Sequence, residues 1–154
     1  DEGIALLQQS LPRMIADRLE LYSGAAAIAL VEGLAVQLRI EDALASIKTR
    51  IDAVAEQGDS WEMPELLRVR GELRARNGDR SGAEQDFDAA MDLAERQSAL
   101  SWNLRVAASR ARLAIDRQAK VRAVSDLKRT FARFAEGFET SDLRDVREIV
   151  QVFG

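Results

Sequence analysis

Apolar residues recur along this chain at spacings of three and four, and the stretches between them carry glycine, proline or short oxygen-bearing side chains. The spacing of Ala43, Leu44, Ile47, Ile51 and Val54 predicts a helix over 40–56. Two further helices follow over 65–76 and 80–97, joined at Asn77-Gly78-Asp79, and another pair over 98–115 and 118–134. Gly58-Asp59-Ser60 reads as a glycine stop followed by an oxygen-bearing cap, with Pro64 in a first helical turn. Gly137, Thr140 and Ser141 interrupt the pattern again. Beyond them Leu143, Val146, Ile149, Val150 and Phe153 fall on one stripe, which predicts an amphipathic helix over 142–153. At the other end, residues 1–10 read as a helix and Pro12 as the start of the next. Residues 12–38 then form one long helix or two joined at Ser23-Gly24. The expected fold class is all-α.

The helices also repeat. Gly71 is followed twelve, sixteen and nineteen residues later by Ala83, Phe87 and Ala90, so a small residue on one helix opposes a large one on the next. A shift of forty residues carries Ala83 to Ala43, Gly3 and Ala123, Phe87 to Ile47, Leu7 and Leu127, and Gly71 to Val31 and Ala111. This alternation resembles the tetratricopeptide repeat, with helices longer than the usual thirty-four-residue unit provides. The expected architecture is a tetratricopeptide-like α-solenoid in one domain over 1–154. It comprises a half repeat over 1–11, helix pairs over 12–57, 60–97 and 98–134, and a capping helix over 141–153. Because the chain opens on the second half of a repeat and on Asp1, it reads as a fragment of a larger protein. Its exposed N-terminal edge is then a surface for a homodimer.

Composition agrees with helices: two prolines, nine glycines and abundant Ala, Leu, Arg and Glu in 154 residues. No apolar run reaches membrane-spanning length; Glu32 interrupts the best candidate. With no leader segment and no cysteine, the expected setting is cytoplasmic. The net charge of −4 is unevenly spread. Residues 1–103 hold 11 basic and 19 acidic side chains, whereas residues 104–133 hold 9 basic and 2 acidic. That basic segment is either a solvated face balanced by acidic neighbours or a nucleic-acid contact.

Candidate chemistry is sparse. Without histidine or cysteine the common nucleophile–base pairs and zinc sites are absent, and no catalytic residue, metal or cofactor is expected. Asp86, Asp88 and Asp92 share a helix, but carboxylates at that spacing read as solvated charge rather than a divalent-ion site. Residues 77–82 lack the Gly-Lys-Ser/Thr ending of a phosphate loop. In tetratricopeptide arrays the first helices line a groove. Here that face carries Ala25, Ile28, Glu32, Ala35 and Val36, then Glu65, Arg68, Glu72, Ala75 and Arg76, then Arg105, Ala108, Arg112, Ile115 and Asp116. The expected site residues are Arg68, Glu72, Arg76, Arg105, Arg112 and Glu32. Their arginine forks suit an acidic peptide or another domain of the parent protein. Alternatively Arg68, Glu72 and Arg76 pair with one another as a surface ladder. Trp61 and Trp102 read as packing anchors.

Four segments, in order, resemble one family. They are Trp61-Glu-Met-Pro-Glu-Leu-Leu-Arg-Val-Arg-Gly-Glu-Leu, Ala83-Glu-Gln-Asp-Phe-Asp-Ala-Ala-Met-Asp-Leu-Ala-Glu-Arg-Gln, Ser101-Trp-Asn-Leu-Arg-Val-Ala-Ala-Ser-Arg-Ala-Arg-Leu, and Phe134-Ala-Glu-Gly-Phe-Glu-Thr-Ser-Asp-Leu. The family is the C-terminal tetratricopeptide region of large bacterial signalling ATPases, whose leading domain is a winged-helix DNA-binding domain or a class III adenylate/guanylate cyclase. The resemblance implies a non-catalytic interaction and sensor module of a transcriptional regulator or cyclase, with any ATPase or cyclase activity outside these residues. The alternative is a helical domain that contacts nucleic acid through 104–133.

Overall fold

A computed structural model describes residues 2–17, 19–56, 58 and 60–153, with the side chains of residues 20 and 21 left aside. Among them are eight helices and no strands: α1 (Glu2–Ala16), α2 (Glu20–Val36), α3 (Ile40–Glu56), α4 (Met63–Arg76), α5 (Arg80–Arg96), α6 (Leu100–Leu113), α7 (Arg117–Phe131) and α8 (Ser141–Phe153). Each helix packs on the next in sequence. In addition α4 touches α2 and α6, and α6 touches α8, while the odd-numbered helices meet only their chain neighbours. The even helices therefore share one layer, and a groove on that layer is built from four separate stretches of sequence.

The forty-residue register is visible in what is buried. Ala43, Ala83, Ile47, Phe87, Leu127, Val31 and Ala111 are all at most 2% exposed, and Ala90 is fully buried. Ala123 packs at the edge of the cluster formed by α6, α7 and α8. A Cβ on Gly71 would sit 2.7 Å from Cε1 of Phe87, so the small residue is required by the ring opposite. Gly3 departs from the register: its surroundings are open, because α1 buries only one edge, through Ile4, Leu7 and Leu11.

The turns follow half that period. Backbone φ is positive at Leu38, Gly58, Gly78 and Ser98, twenty residues apart. After α2, α4 and α5 the N–H three residues beyond the helix returns five residues back, from Arg39 to Leu34, Asp79 to Arg74 and Ala99 to Ala94. This left-handed stop satisfies the last helical carbonyls and favours glycine. Leu38 occupies it at φ 60° with an exposed side chain. Leu38→Gly is therefore expected to raise stability by up to about 1 kcal/mol, read as a rise in the midpoint of thermal unfolding.

The N-terminal third differs from the sequence reading. Pro12 lies inside α1, on its exposed side, where it removes one helical hydrogen bond. The break falls between Ala16 and Glu20 rather than at Ser23-Gly24. Gly24 is a point of close approach within α2: a Cβ there would lie 1.9 Å from Oε2 of Glu62. Asp79 and Asp116 cap α5 and α7 through Gly82 N–H and Ala119 N–H. The expected cap at Asp59 lies outside the described residues. Ser60 Oγ accepts a 3.4 Å bond from Glu62 N–H.

Candidate functional site

One face of the even layer encloses a pocket of about 570 Å³. Its wall repeats with the forty-residue register. Ala25, Glu65, Arg105 and Asp145 line it, as do Ile28, Arg68 and Ala108, then Glu32, Glu72 and Arg112, and finally Glu62, Trp102 and Asp142. Every set is spaced by forty, because each even helix presents the same turn to the same side.

Five of the six expected site residues meet here: Glu32, Arg68, Glu72, Arg105 and Arg112. Arg76 does not; it is exposed at the end of α4, outside the pocket. Of the other expected groove positions, Ala35 is in the core, Val36 is 80% and Ile115 66% exposed, Ala75 packs beside Phe87, and Asp116 caps α7. The groove is shorter than the repeat pattern implies: the positions at or just beyond the C-terminal ends of the even helices fall outside it.

The charged floor is one connected chain. Arg68 Nε and Nη2 donate to Glu65 Oε2 and Oε1, both at 2.8 Å, and Nη1 donates to Glu72 Oε1 at 2.7 Å. Nη1 also donates to Ser109 Oγ at 3.2 Å. Arg105 Nη1 donates to Glu65 Oε1 at 2.8 Å and its Nε to Asp142 Oδ2 at 2.7 Å. Arg112 faces Asp145 at 3.5 Å. Behind the wall Arg50 Nη2 donates to Glu62 Oε1 at 2.5 Å, both residues being buried. The surface-ladder alternative holds for Arg68 and Glu72, but the pair is mostly buried and continues to α6 and α8 instead of to Arg76.

Burial alone would lower the Arg68 guanidinium pKa, but the hydrogen bond and charge of Glu65, with the charges of Glu72 and Glu32, more than offset it and hold the group above the ordinary arginine range. Arg105 is raised in the same way, burial opposing and Asp142 and Glu65 prevailing. A raised pKa contributes stability that is complete below the unfolded-state value and lost only above it, so both arginines are charged at every pH at which the protein is handled. Their forks are committed to carboxylates of the chain itself. An acidic ligand would have to displace those carboxylates.

The two tryptophans are not buried anchors. Trp61 is 55% exposed, Trp102 is partly exposed, and both line the pocket with ring centroids 6.3 Å apart and planes 23° from parallel. The Arg105 guanidinium lies 5.2 Å from the Trp102 ring. Sequence reasoning missed these rings along with Glu62, Asp142 and Asp145. One more step of forty from Trp102 and Arg105 would have found the two aspartates.

The basic segment 104–133 is partly neutralised, chiefly by acidic residues elsewhere in the chain. Arg105 pairs with Glu65 and Asp142, Arg110 with Glu84 and Asp88, Arg112 with Asp145, Arg129 with Asp126, and Arg133 with Glu95. That commits five of its nine cations, and a sixth, Lys120, lies 3.8 Å from the Phe153 ring centroid. Asp86 accepts from Arg70 and Arg74, and Asp88 from Arg110, so these two aspartates join α5 to α4 and α6, while Asp92 is exposed. Among the described residues no group of acidic side chains is placed to hold a metal ion. No helix there is long and apolar enough to cross a membrane. No family model, curated protein or solved structure matches the chain.

Proposed function

We propose that this chain is a non-catalytic interaction module, a tetratricopeptide-like solenoid that takes an extended segment of a partner, or of another domain of its own parent, in the groove of its even helices. The observation that carries the reading is the pocket wall: successive units contribute the same register positions, one of them from all four, to one concavity of about 570 Å³. That size suits a few side chains of a bound segment, and a face built by repetition suits an extended chain rather than a single reacting group. The buried ion-pair chain gives the groove a fixed shape before binding, which lowers the cost of ordering it around a ligand. Placement in a bacterial signalling protein, as the cytoplasmic sensor of a transcriptional regulator or nucleotide cyclase, rests on the sequence resemblance. The nucleic-acid alternative loses its main support, since most cations of 104–133 already have partners within the chain.

The test fills the groove without touching the core. Peptides are selected from a random-sequence display library against the whole chain and measured against Ala29→Trp, whose new ring enters the pocket from an exposed position on α2. Affinity is expected to fall at least about tenfold, a loss of about 1.4 kcal/mol, with the melting temperature unchanged. Unaltered affinity for every selected peptide would place the interface on another face.

A further inference from the structure

The pocket carries more negative charge than its own arginines neutralise. Glu32, Glu62, Glu65, Glu72, Asp142 and Asp145 line it, against Arg68, Arg105 and Arg112. Arg50 behind Glu62 makes a fourth cation, so six carboxylates face four arginines and two negative charges are left over. The surplus is localised. Glu32 is exposed and has no hydrogen bond or ion pair among the described residues. Glu72 uses only Oε1, while Asp145 is offset by Arg112 at 3.5 Å. Glu62 is 6% exposed, and its Oε2 lies buried against α2 without a hydrogen-bond donor. Beside these acceptors stands the open Trp61 ring, and Arg105 over Trp102 already shows a guanidinium held against an indole in this wall. The α2 side is apolar, through Ala25, Ile28 and Ala29.

We infer that the groove takes a basic side chain, an arginine or lysine of the bound segment, with its cation toward Glu32 and the unused oxygen of Glu72 and its alkyl stem along the apolar residues of α2. The inference rests on the groove being the binding face, as proposed above, and reverses the ligand charge expected from the arginine count. Arg68 and Arg105 already spend their forks on carboxylates of the chain, while an arriving cation completes carboxylates that are half used.

The two tryptophans of the chain both line this pocket, so intrinsic fluorescence reports its occupancy directly. A decapeptide of alternating glycine and arginine is titrated beside one of alternating glycine and glutamate. The basic peptide is expected to change the emission saturably. Glu32→Gln with Glu72→Gln should weaken it at least tenfold, while Asp92→Asn with Glu136→Gln, the same charge change on exposed residues outside the pocket, should leave it within twofold. Equal weakening by both pairs would reduce the effect to general attraction by an acidic protein and overturn the inference. Preferred binding of the acidic peptide would overturn it while keeping the groove as the site. Emission that responds to display-selected peptides but to neither decapeptide would do the same. Selected peptides that bind without changing the emission, and equally well to Ala29→Trp, would remove the groove itself and this inference with it.

Discussion

Glu65→Ala is expected to cost about 3–5 kcal/mol of folding stability, the usual penalty for stripping one partner from a buried ion pair. Glu65 is 3% exposed and receives three hydrogen bonds, two from Arg68 on its own helix and one from Arg105 on α6. Its removal leaves the Arg68 guanidinium, with a side chain only 10% exposed, on Glu72 and Ser109 alone. A charge so enclosed cannot recover its lost partner from water. For a chain of this length the melting temperature should fall by roughly 10 °C or more. The double variant Glu65→Leu with Arg68→Leu is expected to regain most of that loss, because it removes the buried charge together with its partner. Arg105 keeps Asp142 in either case. A Glu65→Ala protein within 1 kcal/mol of the parent would mean that the chain of charges is open to solvent and worth no more than a surface ladder. The prediction bears on function as well. If these arginines hold the groove together, they are not the groups a ligand engages, and ligand selectivity passes to the carboxylates left over.

The helices were legible wherever one face differs from the other. The span 40–56 was read to the residue, and α4 to α8 were read to within three residues at either end, because Ile47, Phe87, Val124 and Val146 stand on stripes against charged faces. α2 has no such contrast. Ala27, Leu30, Val31, Leu34 and Ala35 are buried on one face, but Ala25, Ala29 and Val36 on the exposed side are apolar as well, so the sequence shows no stripe to read. Its start also lacks the glycine or proline that marks a boundary, so Pro12 and Ser23-Gly24 were taken for joints they do not form. The groove was legible as a register but not as a charge state. Spacing by forty placed Glu32, Arg68 and Arg105 on one face, yet whether an arginine is free or committed depends on residues from other helices. Asp142, thirty-seven residues from Arg105, decides this, and it was read only as part of a cap. The exposure of Trp61 was likewise out of reach, since a tryptophan before a helix packs inward or outward according to what the next unit brings against it.

Ala83→Trp is expected to abolish the cooperative fold, while Ala89→Trp, six residues along the same helix, changes stability by no more than about 0.5 kcal/mol. Ala83, Phe87, Ala90 and Ala94 form the buried face of α5 between α4 and α6, each at most 2% exposed, and Ala89 points to solvent. There is no slack on the buried side. Phe87 already fills the space that a single Cβ on Gly71 would need, and Val106 of α6 closes the same cluster. Extra methylenes in a packed core cost about 1–3 kcal/mol, and an indole demands far more room against a total stability of about 5–15 kcal/mol for a domain. Since α5 joins the cluster before it to the cluster after it, no part of the chain can relax around the new ring without parting α4 from α6. Far-ultraviolet circular dichroism with thermal melting separates the two variants. An Ala83→Trp protein that melts cooperatively within a few degrees of the parent would show that α5 turns its other side inward. The forty-residue register would then be misplaced throughout, at Ala43 and Ala123 as well as here, and with it the alignment of groove positions on which the binding reading depends.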